Sequence, residues 1–249
     1  MTIENEKDLM GLMRIGKLCA ETMQHMAKHL KPGITTRELD NIGADYLEKH
    51  GARSAPIITY QFPGTTCISI NEEVAHGIPG SRVVQAGDMV NIDVSASLDG
   101  YFADTGATYL VPPNTPEQER ICNFTKRALE SAINAVRDGV PLHAIGKAVE
   151  KEAKAGGYSI IRELGGHGIG RGLHEEPRNV PNFFNPRARS ILREGMVLTL
   201  EPFLNTGRGR IITGDDSWTL KTTDGSLSAQ YEHTVIITKD RPILVTALA

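Results

Sequence analysis

Apolar and weakly polar positions recur at helical spacing over residues 7–30: Leu9, Leu12, Met13, Ile15, Leu18, Cys19, Thr22 and Met26, with Lys and Glu between them. Lys31-Pro32-Gly33 breaks that pattern and predicts the end of a first helix. Thr35-Thr36-Arg37-Glu38 has the form of a capping box, a hydroxyl at the N-cap with a carboxylate three residues on. It opens a second helix that ends near Gly51. Thr115-Pro116-Glu117-Gln118 repeats this grammar with proline at the first helical position, predicting a third helix through about Arg137. Asp138-Gly139 interrupts, and a fourth helix is expected from about Pro141 to Gly156-Gly157. The two helical pairs share their glycine spacing, and Ile34 and Leu39 match Val140 and Ile145. An internal duplication and chance both produce such a match.

Between and after the helical pairs the period drops to two. Met89–Ala96 alternates apolar and polar residues, Asp99-Gly100 is a strong hairpin signal, and Tyr101–Val111 reads as the return strand. Further strands are expected at 195–201, 210–213 and 229–238. Helices and strands in blocks, joined by hairpins, predict an α+β fold with a largely antiparallel sheet. No long linker divides residues 1–249, so a single domain is expected.

Composition narrows the function. The chain of 249 residues is 40% hydrophobic before glycine is counted, enough for a packed core and against disorder. With 27 basic and 30 acidic residues the net charge is −3, which argues against an electrostatic nucleic-acid binder. Cys19, Cys67 and Cys122 are far apart and odd in number, so neither a disulfide framework nor a thiolate zinc site is expected. No apolar run reaches the ~18 residues of a membrane span, and the polar, acidic start does not resemble a signal peptide. A cytoplasmic location follows as an expectation.

Candidate chemistry then concentrates on carboxylates in apolar strands. If Asp99-Gly100 is a two-residue turn, Leu98 pairs with Tyr101, and Asp93 and Asp104 fall on one face as diagonal neighbours. One extra turn residue would place them on opposite faces, and two solvated aspartates on a polar face remain the alternative. Glu201 ends the apolar run Met196–Leu200 just before Pro202, and Glu232 lies in the charge-poor run Ala229–Ile237. Each alone reads as a strand-end solvent residue, but four carboxylates of this kind call for cations or a metal. His25 and His29 are four apart, but Met26 stands where a zinc protease has glutamate, so they read as surface or core residues. His50, His143 and His233 are isolated, and His76 sits among turn formers. Gly165–Pro177 is dense in glycine around His167 and His174, but fits neither dinucleotide nor phosphate-loop patterns. It suggests backbone kept small beside a ligand or metal. Asp93, Asp104, Glu201 and Glu232 with one histidine make an oxygen-rich set suited to Mn, Fe, Co or Zn pairs and to hydrolysis.

Several segments are specific in combination. They are Cys67-Ile-Ser-Ile-Asn71 leading to His76-Gly-Ile-Pro79, Asn91-Ile-Asp93-Val, Asp104-Thr-Gly106, Gly166-His-Gly-Ile-Gly170, Leu173-His-Glu-Glu-Pro177, Thr199-Leu-Glu201-Pro202 and Ser228-Ala-Gln-Tyr-Glu232-His. With the step from Asp93 to Asp104, they make the chain resemble, over nearly its whole length, the type I methionine aminopeptidases of the pita-bread fold. The short step from His174 to Glu201 leaves no room for the helical insertion of type II enzymes. The resemblance implies two pseudo-two-fold related halves, an antiparallel sheet covered by two helix pairs, and two divalent ions (Co, Mn, Fe, Zn or Ni). It implies Asp93, Asp104, His167, Glu201 and Glu232 as ligands, with Asp104 and Glu232 bridging. It further implies catalytic roles for Glu201, His174 and His76, and a methionine pocket of Phe62, Cys67 and Trp218, with His76 and His174 also touching substrate. Expected partners are N-terminal methionyl peptides and nascent chains at the ribosome, with no nucleic acid, no membrane and a monomeric state. Leu173 stands where the family usually has Phe and Thr59 where Tyr is common, both expected on the pocket wall. Xaa-Pro peptidases share fold and ligand types but usually carry an extra N-terminal domain. Non-catalytic relatives have lost ligands that are intact here.

Overall fold

The computed structural model describes residues 1–248. α1 (Glu6–His29) opens on Asn5, whose side chain accepts from the Asp8 amide at 3.0 Å. α2 (Thr36–Lys49) carries the complete Thr35–Glu38 capping box. A short helix that the sequence pattern does not suggest, α3 (Ala55–Tyr60), starts at a Ser54 cap and stops at left-handed Gln61. α4 (Pro116–Ala135) carries the second capping box, Thr115–Gln118. α5 (His143–Gly156) ends on left-handed Gly157. The four expected helices are therefore present, shifted by a residue or two at their ends.

The expected hairpin is Met89–Leu98 paired to Tyr101–Leu110. Its turn residues Asp99 and Gly100 have φ of 52° and 79°, the all-positive pattern of a tight type I′ turn. Every strand pairing is antiparallel, but the expected single sheet is divided among four small ones of three to five strands. The expected strand 229–238 is likewise two strands, Ser228–Gln230 and His233–Ile236. Its interruption lies in the site.

Each helix pair covers its own part of this sheet system. α1 packs on α2 and on the hairpin, and Leu12, Ile15, Leu39, Ile68, Ile92 and Val94 are buried in one core. α4 and α5 close a second core around Ile121, Leu129, Ile145, Val149, Leu198 and Leu204. At about 1.5–3 kcal/mol for each large side chain removed from water, these two cores dominate the stabilisation. Close approach needs small residues at the contacts: a Cβ on Gly11 of α1 would overlap the Tyr101 ring, and one on Gly16 the Val245 carbonyl.

Candidate metal centre

The I′ turn sets the register that places the aspartates. Asp93 stands opposite Gly106 and Asp104 opposite Ser95, so the two carboxylates are diagonal neighbours on one face, and both line one cavity. The glutamates arrive by another route. Val197–Leu200 pairs with His233–Ile236, Leu200 opposite His233, and Phe203–Asn205 pairs with Ser228–Gln230, Phe203 opposite Gln230. The two ladders share one register, so Glu201 and Glu232 stand opposite each other in the gap between them. Pro202 lacks the amide that would continue the ladder. In that gap the Glu232 amide donates instead to the Gly106 carbonyl at 2.8 Å, and Thr105 Oγ1 donates to the Glu232 carbonyl at 2.9 Å. The strand thereby changes partner from its own half to the hairpin, and Glu232 comes to lie beside Asp104.

His167 is fixed from three sides. Its amide donates to Thr199 Oγ1 at 2.9 Å, and that hydroxyl donates to Glu201 Oε1 at 3.0 Å. Its Nδ1 lies 2.9 Å from the Gly168 carbonyl, which can only accept, so Nδ1 carries the proton and Nε2 offers a lone pair. That Nε2 is 3.6 Å from Glu201 Oε1 and 4.0 Å from Asp104 Oδ2. Behind Glu232, Gln230 Nε2 donates to Oε2 at 2.9 Å, and Gln230 Oε1 accepts from Asn91 Nδ2 at 2.8 Å. Asn91 is on the hairpin, so this relay ties one half to the other.

The electrostatics identify what the cluster lacks. Burial, then the Asp104 charge, pushes Asp93, Glu201 and Glu232 well above the usual carboxylate range, and burial brings Asp104 to about 6. Burial, followed by the neighbouring His174, lowers His167 to about 3, so its imidazole is neutral. Asp104 Oδ1 and Glu232 Oε1 are buried without a hydrogen-bond partner, a cost of ~1–3 kcal/mol each that a cation removes. Asp104, His167 and Glu232 offer ligand atoms all within 4.8 Å of one another. Buried carboxylates, orphaned oxygens and a neutral imidazole lone pair fit a divalent metal.

The cavity above this floor measures about 330 Å³. Phe62 and Trp218 meet edge to face, ring centroids 5.3 Å apart, and line it with Cys67 and Leu173. His76 and His174 stand at its mouth. His76 holds a left-handed φ of 56°, unusual for a residue with a Cβ. Next to it, Gly77 is clamped, its amide to Ser69 Oγ at 3.1 Å and its carbonyl to the Ile68 amide at 3.0 Å. Desolvation lowers the His174 pKa, helped by His76 and Arg178.

Two expectations need correction. Leu173 is on the pocket wall, but Thr59 is exposed on α3 and outside the lining, while its neighbour Tyr60 lines the cavity. The sequence offers no signal for Tyr60, because α3 itself is unmarked. Nor do the glycines of 165–170 make room for a ligand. A Cβ on Gly165, Gly166 or Gly168 would strike the carbonyls of Val180, Thr199 or Glu176, and one on Gly170 the Met1 side chain. They admit neighbouring strands and the first residue. His25, His29, His50, His143 and His233 lie outside the lining of this cavity.

Residues 11–239 match Metallopeptidase family M24, and the chain belongs to that family. It is 47% identical to the methionine aminopeptidase of Staphylococcus epidermidis, over 100% of this chain and 99% of the relative. It is 42% identical to the Escherichia coli K12 methionine aminopeptidase, over 96% and 90% of the two chains. The crystal structure of the Rickettsia prowazekii methionine aminopeptidase superposes with a TM-score of 0.95, at 39% identity, covering 99% of this chain and all of the other. The expected α+β pita-bread architecture is thus met by chains of the same family. Among the described residues no helix is long and apolar enough to cross a membrane.

Proposed function

We propose that this M24 peptidase acts as one catalytic unit that removes the N-terminal methionine from peptides and nascent chains, including those emerging at the ribosome, when the second residue is small. The observation that carries the reading is the buried Asp104–His167–Glu232 group with its two orphaned oxygens. Two divalent ions, from among Co, Mn, Fe, Zn and Ni, would be held by five side chains. Those five are Asp93, Asp104, His167, Glu201 and Glu232, all on the cavity wall. Bound there, such ions acidify a water and polarise a scissile carbonyl.

The chain's own groups supply the rest. Glu201, which lines the cavity and is oriented by the Thr199 hydroxyl, accepts the proton released by the attacking water. His174 donates a hydrogen bond to the carbonyl oxygen as charge develops there. His76 contacts the peptide next to the scissile bond. Phe62, Cys67 and Trp218 enclose the thioether, a soft group that favours aromatic and sulfur neighbours. The enzyme works as a cytoplasmic monomer.

Release of free methionine from Met-Ala-Ser by metal-stripped protein, titrated with Mn, Fe, Co and Zn, tests this directly. Ala-Pro-Ser and N-acetyl-Met-Ala-Ser serve as comparison substrates. Metal-dependent cleavage of the free methionyl peptide alone is the expected result. Cleavage of Ala-Pro-Ser would move the enzyme to prolyl substrates, and silence on all three with metal bound would refute peptidase action.

A further inference from the structure

Two histidine rings of this site lie against each other, His167 and His174, with centroids 4.0 Å apart and planes tilted by 45°. Their Nδ1 atoms face partners of opposite character. His167 faces the Gly168 carbonyl, an acceptor only. His174 Nδ1 lies 2.7 Å from the hydroxyl of Tyr60, with ring centroids 5.5 Å apart. A phenol is a better donor than an imidazole N–H, and an imidazole lone pair is a better acceptor than a phenol oxygen. The favourable arrangement is therefore O–H donating to Nδ1. A neutral ring that accepts at Nδ1 must carry its single proton on Nε2.

We propose that Tyr60 is a positioning residue that locks His174 in the Nε2–H tautomer, so that this ring presents a donor to the substrate while the adjoining His167 ring presents a lone pair. The two locks explain a division of labour that composition cannot. One imidazole is fitted to hold a cation because a carbonyl takes its Nδ1 proton. The other is unfitted for that role, because a phenol occupies its Nδ1 lone pair and its remaining nitrogen is protonated. Among the described residues no protein group hydrogen-bonds His174 Nε2, which leaves it for substrate. Tyr60 acts from the end of α3, where the left-handed Gln61 stops the helix and its amide bonds back to Ile57 at 3.0 Å. Tyr60 is 45% exposed overall and lines the cavity. A bare Nε2 lone pair facing a carbonyl oxygen would repel it, which makes the tautomer decisive for a hydrogen-bonding role.

The inference rests on the proposed role of His174, and the test separates the two. In Zn-loaded protein with ¹⁵N-labelled histidine, nitrogen chemical shifts report the His174 tautomer without reference to turnover. The expected result is Nε2–H in the unmodified protein and loss of that fixed pattern in Tyr60→Phe, at unchanged melting temperature. In Met-Ala-Ser cleavage, Tyr60→Phe should lower kcat by roughly 3- to 10-fold, the worth of one hydrogen bond, with KM unchanged. His174→Ala should lower it by about 100-fold. An Nδ1–H signal in the unmodified protein overturns the lock, as does a kcat loss in His174→Ala with none in Tyr60→Phe. If the tautomer responds as expected but both variants turn over normally, the lock is upheld and the donor role of His174 is what falls.

Discussion

The hairpin that carries Asp93 and Asp104 and the interrupted ladder that carries Glu201 and Glu232 deliver the same functional group to one cavity by opposite means. In the hairpin, two ten-residue strands and an Asp-Gly turn fix every side chain by local counting. In the ladder, four strands of three or four residues are placed by pairings across the sequence, and the glutamates occupy the gap where regular pairing stops. Regular structure thus positions the first pair, and its deliberate failure positions the second. A continuous ladder would keep the backbone of residues 231–232 within its own sheet, where Glu232 could not meet the hairpin.

The sharpest way to break this comparison is to remove a carboxylate that both routes converge on. Asp104→Asn should abolish metal binding and lower Met-Ala-Ser turnover by at least about 10³-fold, since metal assistance contributes several kcal/mol. Metal analysis and single-turnover kinetics measure the two together, and full occupancy with normal turnover would falsify the assignment. A smaller effect is expected from the ladder side. Gly166→Ala places a methyl against the Thr199 carbonyl and should destabilise the fold by about 1–3 kcal/mol. Gly172→Ala, where the nearest atoms are 3.8 Å away on the Glu175 side chain, should be near neutral in the same denaturant titration. Equal losses at both would show that the glycines act through backbone freedom rather than close packing.

The relay between the halves is a subtler target. Gln230→Ala leaves Glu232 in place but removes its orienting donor and should weaken metal affinity roughly 10- to 100-fold, read by competition with a chromophoric chelator. Unchanged affinity would mean that Glu232 is held by the ladder gap alone. The smallest effect concerns pH. In metal-free protein the four carboxyls hold protons more tightly when folded than at their ordinary values of 3.8 and 4.5. Their contribution to stability is then complete below about pH 4 and is lost as pH rises through 6 and beyond. Relative to metal-loaded protein, the melting temperature should fall between pH 5 and 7.5, by roughly 2–4 °C for each kcal/mol lost. A widening advantage for the metal-free form over that interval would reverse the sign and defeat the explanation.

What the sequence disclosed follows the same divide. Both capping boxes, the four long helices and the aspartate register are local patterns, and the structure contains them. Glu201 and Glu232 were visible as anomalies, carboxylates in apolar runs, but their opposition across the gap depends on partners some 30 residues apart in sequence, which no local rule fixes. Glycines 165–168 were misread because glycine records only that something is close, without saying whether it is a ligand or another strand. Tyr60 was missed and Thr59 misplaced for one reason: Ala55–Tyr60 is short and rich in β-branched residues, so its helix leaves no periodic trace.

The exposed connector at Pro112–Asn114 joins the half that holds two of the proposed ligands to the half that holds three. A chain severed there would yield fragments that each keep a helix pair but neither a complete ligand set nor a complete core, since Ile169, Val197 and Val245 pack in the core of the first helix pair and Met89 in that of the second. A divalent cation held by both would then join them alongside the shared apolar cores and the Arg171–Asp8 ion pair. In engineering terms, the proposed centre is thus a seam as well as a site, its five ligands drawn from both sides of one exposed connector.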